Sequence, residues 1–195
     1  MGASVGYVDT DLWFPNGVTA SLRESSAGAS FSWRASERFT LSGSAGALVG
    51  GALVVAGPQT LALRPGPFAA ITGTMRVLDG TNGWPFLTAS VGLSGLWATT
   101  VDVGGVSAPY TAIDLKASAI VGMTFFERFS PYVGASIFGG PVFWGLGSGL
   151  ITGTDTHHYQ VLLGASVALP AGIDLFVEGS PLGERTISGG AGLSF

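Results

Sequence analysis

The segment Phe86-Leu87-Thr88-Ala89-Ser90-Val91-Gly92-Leu93-Ser94-Gly95-Leu96-Trp97 decides the fold. One parity reads Leu87, Ala89, Val91, Leu93, Gly95 and Trp97, and the other reads Thr88, Ser90, Gly92 and Ser94. Side chains of a strand alternate between its faces, so this pattern predicts a strand with one apolar and one small polar face. The segment 111–125 repeats it. Thr111, Ile113, Leu115, Ala117, Ala119, Val121, Met123 and Phe125 alternate with Ala112, Asp114, Lys116, Ser118, Ile120, Gly122 and Thr124, and both charges fall on the polar parity.

Working outward, Ala27, Ala29, Phe31 and Trp33 alternate with Gly28, Ser30, Ser32 and Arg34. Ala69, Ile71, Gly73, Met75 and Val77 alternate with Ala70, Thr72, Thr74 and Arg76. Further copies run over 38–47, 160–169, 173–178 and 187–195. In a soluble barrel or sandwich the polar parity would face water and be rich in Lys, Glu, Asp and Arg. Here it is mostly Ser, Thr and Gly with isolated charges of both signs, which suits a crowded interior with the apolar parity turned to lipid.

Composition agrees. Charged residues make up 10% of the chain, against about 25% in ordinary soluble domains, and the mean hydropathy is +0.49. Glycine occupies 32 of 195 positions without a three-residue repeat, which excludes collagen, and the high hydrophobicity opposes disorder. The net charge of −4, with Lys116 the only lysine, leaves no basic stripe for nucleic acid. The absence of cysteine removes disulfide scaffolds and thiolate metal sites. A membrane-spanning helix needs about 20 apolar residues; the best run, 45–57, is too short and contains Gly46, Gly50, Gly51 and Gly57.

The reading is therefore an all-β protein: a single domain over 1–195 forming a closed antiparallel up-and-down transmembrane β-barrel. Short turns are expected at 35–37, 79–85, 126–130 and 170–172, and longer connections at 57–66, 102–109 and 145–156. Strands are expected at 26–35, 38–50, 67–78, 86–101, 110–125, 131–144, 157–169, 173–181 and 186–195. Bacterial single-chain barrels use even numbers, so a tenth strand is expected from Ala3–Leu12 or Val18–Arg23, with eight strands as the alternative. Val18, Ala20 and Leu22 have the parity opposite to that of Ala27 onward, which predicts a turn or bulge at Glu24–Ser26. Gly139-Gly140-Pro141 predicts a kink or bulge within a strand.

Aromatics cluster at the strand ends. Trp33, Trp84, Phe86 and Tyr132 flank the short turns, and Trp97, Tyr110, Trp144 and Tyr159 lie toward the longer loops. They are assigned to two interfacial girdles, because Trp and Tyr favour the boundary between water and lipid. Phe86 to Trp97 rises about 28 Å at strand spacing and a tilt near 40°, close to an apolar band of about 25 Å. The start, Met1-Gly2-Ala3-Ser4, lacks a basic segment followed by an apolar run, so the start alone implies either a mature chain with an added initiator Met or a cytoplasmic protein; with the barrel pattern, the expectation is a mature chain whose signal peptide has been removed.

The last strand carries a family resemblance. Ala191, Leu193 and Phe195 alternate with Gly192 and Ser194, ending on an aromatic. This resembles the C-terminal signature of bacterial outer-membrane β-barrel proteins. The resemblance implies a bacterial outer-membrane location and assembly through Ala191, Leu193 and Phe195 by the barrel-assembly machinery, with membrane lipids as surroundings. It implies no activity.

Chemistry candidates are few. Arg34, Arg76 and Asp174 are expected to point inward near the short-turn end, with Asp114, Lys116 and Glu178 nearer mid-depth. An unpaired charge in a narrow interior is costly, so opposite signs are expected to pair into a network filling the lumen; a constriction in an open pore is the competing role. His157 and His158 lie near Asp155, Ser148 and Tyr159, but adjacent strand residues face opposite sides, which supports neither a catalytic set nor chelation. No catalytic residue, metal or cofactor is assigned. The function expected is a non-enzymatic outer-membrane component, structural or binding a protein partner in the envelope, with a narrow pore as one version. A passive small-solute channel and a lipid-modifying enzyme at the rim are the alternatives.

Overall fold

The computed structural model describes residues 1–15, 17–55, 59–80, 83–146 and 149–194. Its strands are β1 (Gly2–Phe14), β2 (Val18–Arg34), β3 (Phe39–Val55), β4 (Thr60–Arg64), β5 (Gly66–Asp79), β6 (Phe86–Val101), β7 (Ser107–Gly122), β8 (Phe129–Gly139), β9 (Val142–Leu146), β10 (Gly149–Asp155), β11 (Tyr159–Leu169), β12 (Ile173–Gly183) and β13 (Arg185–Leu193). Every pairing is antiparallel, and β1 meets β13 from Gly2↔Gly192 to Asp9↔Arg185, closing the sheet into a barrel. Three staves are each built from two segments, β4 with β5, β8 with β9, and β10 with β11, so the thirteen strands form a ring of ten.

That count holds only for the lower part, the end bearing the turns 35–38 and 170–172. The last hairpin, β12–β13, turns back at Glu184, and above it β10 pairs directly with β1 through Leu12↔Asp155 and Trp13↔Thr154. The upper ring is therefore β1-β2-β3-β4-β6-β7-β9-β10, eight strands. The ten strands expected from the sequence are those of the lower ring; the alternative of eight for the whole barrel, in which the N-terminal stretch would not span, does not hold, because β1 belongs to the ring at both heights.

Ala3–Leu12 supplies the tenth strand, and Val18–Arg23 is the upper part of β2. Of the turn or bulge expected at Glu24–Ser26, no turn forms, but a bulge in the β2–β3 pairing does lie there. β2 runs through, and the register shift between Ser25 and Ser26 arises because Val49 of β3 is the extra residue, Ser25 facing Gly50 and Ser26 facing Leu48. At 139–141 the strand is interrupted, β8 ending at Gly139 and β9 starting at Val142, but no bulge forms against β7: Leu115↔Gly139 and Ala112↔Val142 keep one register across Pro141. Much of the expected long connections is strand instead, since β4 and β10 fall within them and β9 and β7 reach into them.

The parity of Val18, Ala20 and Leu22 reverses because the barrel's chemistry reverses with height. In the lower part the outer face is apolar, as at Val5, Ile71, Val91, Leu115 and Val177, and the inner face carries Ser30, Ser44, Ser90 and Ser118. In the upper part Leu12, Phe14, Leu22, Leu48, Leu53, Leu63, Tyr110 and Trp144 pack inside as a buried core. The strand alternation then places Asp9, Asp11, Thr19, Ser21 and Arg23 on the outer wall. A lipid-facing band thus sits below a section whose inside is dry and whose outside suits water.

Inward glycines make room for aromatic rings on the neighbouring strand. A Cβ on Gly164 would strike the Tyr132 ring and one on Gly122 would strike Phe86, so these glycines are spaces already filled rather than slack in the wall.

Candidate functional site

The ring narrows from ten strands to eight around Asp9–Asp11, Thr156–His158 and Glu184, and a cavity of about 300 Å³ lies inside that step. Its upper wall is the apolar plug, including Leu12, Leu22, Leu48 and Val142. Glu24, Asp114, Asp155 and Glu184 line its sides with one cation, Lys116. Asp114 stands on the inward parity of β7, and each of the other three carboxyls has a local reason to face inward. Glu24 shares the parity of Ala20 and Leu22, Asp155 ends β10 where it meets β1, and Glu184 is the turn residue of the short hairpin.

Lys116 Nζ donates to Gln160 Oε1 and lies 5.8 Å from the centre of the Phe138 ring. Ser136 also donates to that Gln160 oxygen at 2.9 Å, and Gln160 Nε2 reaches Glu184 at 3.4 Å. Thr10 donates to Asp155 at 3.2 Å. Three buried polar atoms on the cavity wall have no partner among the described residues: Glu24 Oε2, Asp114 Oδ1 and the Tyr110 hydroxyl. On the β1–β2–β13 side the outer wall at this height carries Asp9, Arg23 and Arg185, with Arg23 paired to Asp9 at 3.5 Å. Glu24, Asp155 and Glu184 therefore lie above the lipid-facing band.

Burial lifts the Glu24 carboxyl from the ordinary 4.5 to about 7, and the neighbouring Glu184 and Asp155 push the same way. Glu184 also rises to about 7, because burial outweighs the pull of Lys116. Asp155 is raised, again chiefly by burial, against the opposing hydrogen bond from Thr10. Low solvation disfavours the charged form of each.

Of the six expected lumen charges, only Asp114 and Lys116 meet at this cavity. Glu178 accepts from the Tyr132 hydroxyl at 3.1 Å, and Asp174 accepts from Ser194 at 2.7 Å. Arg34 and Arg76 are exposed toward the lower mouth. Among the described residues no ion pair joins any of the six. The expected pairing of opposite signs is replaced by neutral partners, Gln160, Tyr132 and Ser194, which satisfy a charge at less desolvation than a second ion.

The girdle also needs correction. Trp33 (58% exposed), Trp84 (73%), Trp97 (48%) and Tyr159 (53%) are on the outer surface. Tyr110 and Trp144 are each 1% exposed and belong to the plug. Phe86 and Tyr132 face inward over Gly122 and Gly164. Their parity is that of the lumen; aromatic content at a strand end does not by itself say which side the ring takes.

The His157 ring stacks edge-on with Tyr159, centroids 6.2 Å apart, and His158 lies beside Gly139. Among the described residues neither imidazole is hydrogen-bonded to an acid or a hydroxyl. Ser148, named with them, lies outside the described residues, as does Phe195 of the C-terminal signature; Ala191 and Leu193 are on the outer parity of β13. Sequence reasoning did not single out Glu24, Gln160 or Glu184 as site residues. Gln160 stands on the polar, inward parity of 160–169, and Glu24 was detectable as an acid on the same parity as Val18, Ala20 and Leu22; nothing local marks Glu184, which faces the cavity because the ring narrows there.

No protein-family model matches the chain, and no curated protein sequence matches it. Among solved structures, the chain is similar to the translocator domain of the autotransporter NalP from Neisseria meningitidis, with a TM-score of 0.52 and 12% identity over 100% of this chain and 88% of that one. The transport unit of the autotransporter AIDA-I from Escherichia coli aligns at a TM-score of 0.49 and 12% identity, covering 100% of this chain and 89% of that chain. At such identity the first likeness establishes the fold: the chain is a closed antiparallel β-barrel of the outer-membrane type.

Proposed function

We propose that this chain is an integral protein of the bacterial outer membrane and serves there as a closed, non-enzymatic barrel, a structural or partner-binding component of the envelope. Lipid surrounds its lower part, and the barrel-assembly machinery inserts it through the Ala191–Leu193 strand and Phe195. The observation that carries this reading is the plug: Leu12, Phe14, Leu48, Leu53 and Trp144 fill the eight-stranded section with fully or nearly fully buried apolar side chains. An ion crossing that section would be stripped of water among groups that offer it nothing in return. The plug therefore argues against a passive small-solute channel.

Purified barrel in a planar bilayer is expected to give no unitary current steps. Stable, reproducible single-channel steps would overturn the closed-barrel reading in favour of a pore.

A further inference from the structure

The cavity at the step between ten and eight strands combines an apolar roof with acids that outnumber their one cation. It also holds three polar atoms with no partner among the described residues, one of them on Tyr110, which is 1% exposed. A buried polar atom without a partner is disfavoured, and such an atom in a native protein calls for a ligand or an ordered water. We propose that this cavity binds a small organic cation, a primary ammonium carrying a short apolar chain.

The match is chemical on both ends. An ammonium has three N–H donors and no acceptor, and the three free atoms, Glu24 Oε2, Asp114 Oδ1 and Tyr110 Oη, are all able to accept. Its charge compensates carboxyls that Lys116, already engaged by Gln160, does not neutralise. The apolar chain packs under Leu12, Leu22 and Leu48. A hard metal ion is a poorer fit, because among the described residues no three acid or histidine side chains converge at ligating distance. The volume of about 300 Å³ lies at the lower end of small-molecule sites, which run from about 300 to 1,000 Å³. With the plug above, the approach is from the lower lumen, along the side lined by Ser30, Ser44, Ser90 and Ser118.

The inference rests on the closed-barrel reading only for the direction of approach, and its test is independent of conductance. Titration calorimetry of the folded barrel in a non-ionic detergent, against empty micelles, compares n-butylammonium, 1-butanol and butyrate. Saturable one-to-one binding of n-butylammonium alone is expected, weakened at least tenfold by Glu24→Gln and by Asp114→Asn and a few-fold by Tyr110→Phe. Absence of saturable n-butylammonium binding, equal binding of 1-butanol, or unchanged affinity in Glu24→Gln would overturn it. The three-ligand comparison on the unaltered barrel decides the matter even if a variant does not fold.

Discussion

Trp144→Ala is expected to cost the barrel about 3 to 5 kcal/mol, the range for truncating a large buried aromatic. The ring is fully enclosed, sits 5.6 Å from Phe14 at a tilt of 54°, and its indole N–H donates to Thr100 Oγ1 at 3.0 Å. Truncation removes the packing, leaves a void between staves that cannot collapse independently, and takes the indole donor away from the buried Thr100 hydroxyl, which keeps only its own bond to the Ala108 carbonyl. Trp84→Ala provides the contrast. Trp84 lies at a lower turn with 73% exposure, so its loss is expected to change stability by about 1 kcal/mol or less. Urea titration in detergent, read by the difference in gel mobility between folded and unfolded barrel, compares them. Equal small losses for the two variants would mean that the upper lumen is not packed.

Raising the pH from 5.5 to 8 is expected to destabilise the barrel. Glu24 and Glu184 titrate near 7 in the folded state and near 4.5 when exposed, so between those values the folded barrel holds protons that the unfolded chain has released. Stability then falls as pH rises, beginning near 4.5 and levelling off above about 7. For one such group taken alone the decline between pH 5.5 and 8 is roughly 2 kcal/mol. Asp114, Asp155, Lys116 and His158 face the same cluster, so Glu24→Gln isolates the contribution. It is expected to flatten the pH profile and to be more stable than the unaltered barrel at pH 8. A urea midpoint that stays level or rises between pH 5.5 and 8 would contradict this account of the cavity.

The lower part of the barrel was legible because its two faces meet different surroundings. Lipid selects Val91, Leu93 and Leu115, the crowded lumen selects Ser90, Gly92 and Ser118, and strict alternation converts that difference into a period of two. The upper part keeps the alternation but reverses its sign. Tyr110 and Trp144 consequently resemble interfacial aromatics when each strand is read alone, although both are core residues. Deciding between the two requires knowing what stands across the lumen, and Phe14 and Trp144 are far apart in sequence.

The narrowing to eight strands was hidden for the same reason. It depends on the pairing of Leu12 with Asp155 above a hairpin that turns at Glu184, a contact that no local pattern encodes. The cavity and its free polar atoms exist only because of that step. Of its lining, Asp114 and Lys116 were already placed inward by their parity, and Glu24 was detectable as a carboxyl among the apolar residues of its own.

The reversal of chemistry with height can be tested position by position. The chain has no cysteine, so single cysteines carrying a nitroxide can be introduced without background. With the barrel in lipid vesicles, labels at Val91, Leu115 and Val177 are predicted to relax preferentially with oxygen, which concentrates in lipid. Labels at Thr19 and Ser21 are predicted to relax preferentially with a water-soluble nickel chelate. Equal chelate accessibility at Val91 and Ser21 would contradict a lipid-facing lower band beneath a water-facing, internally plugged upper section.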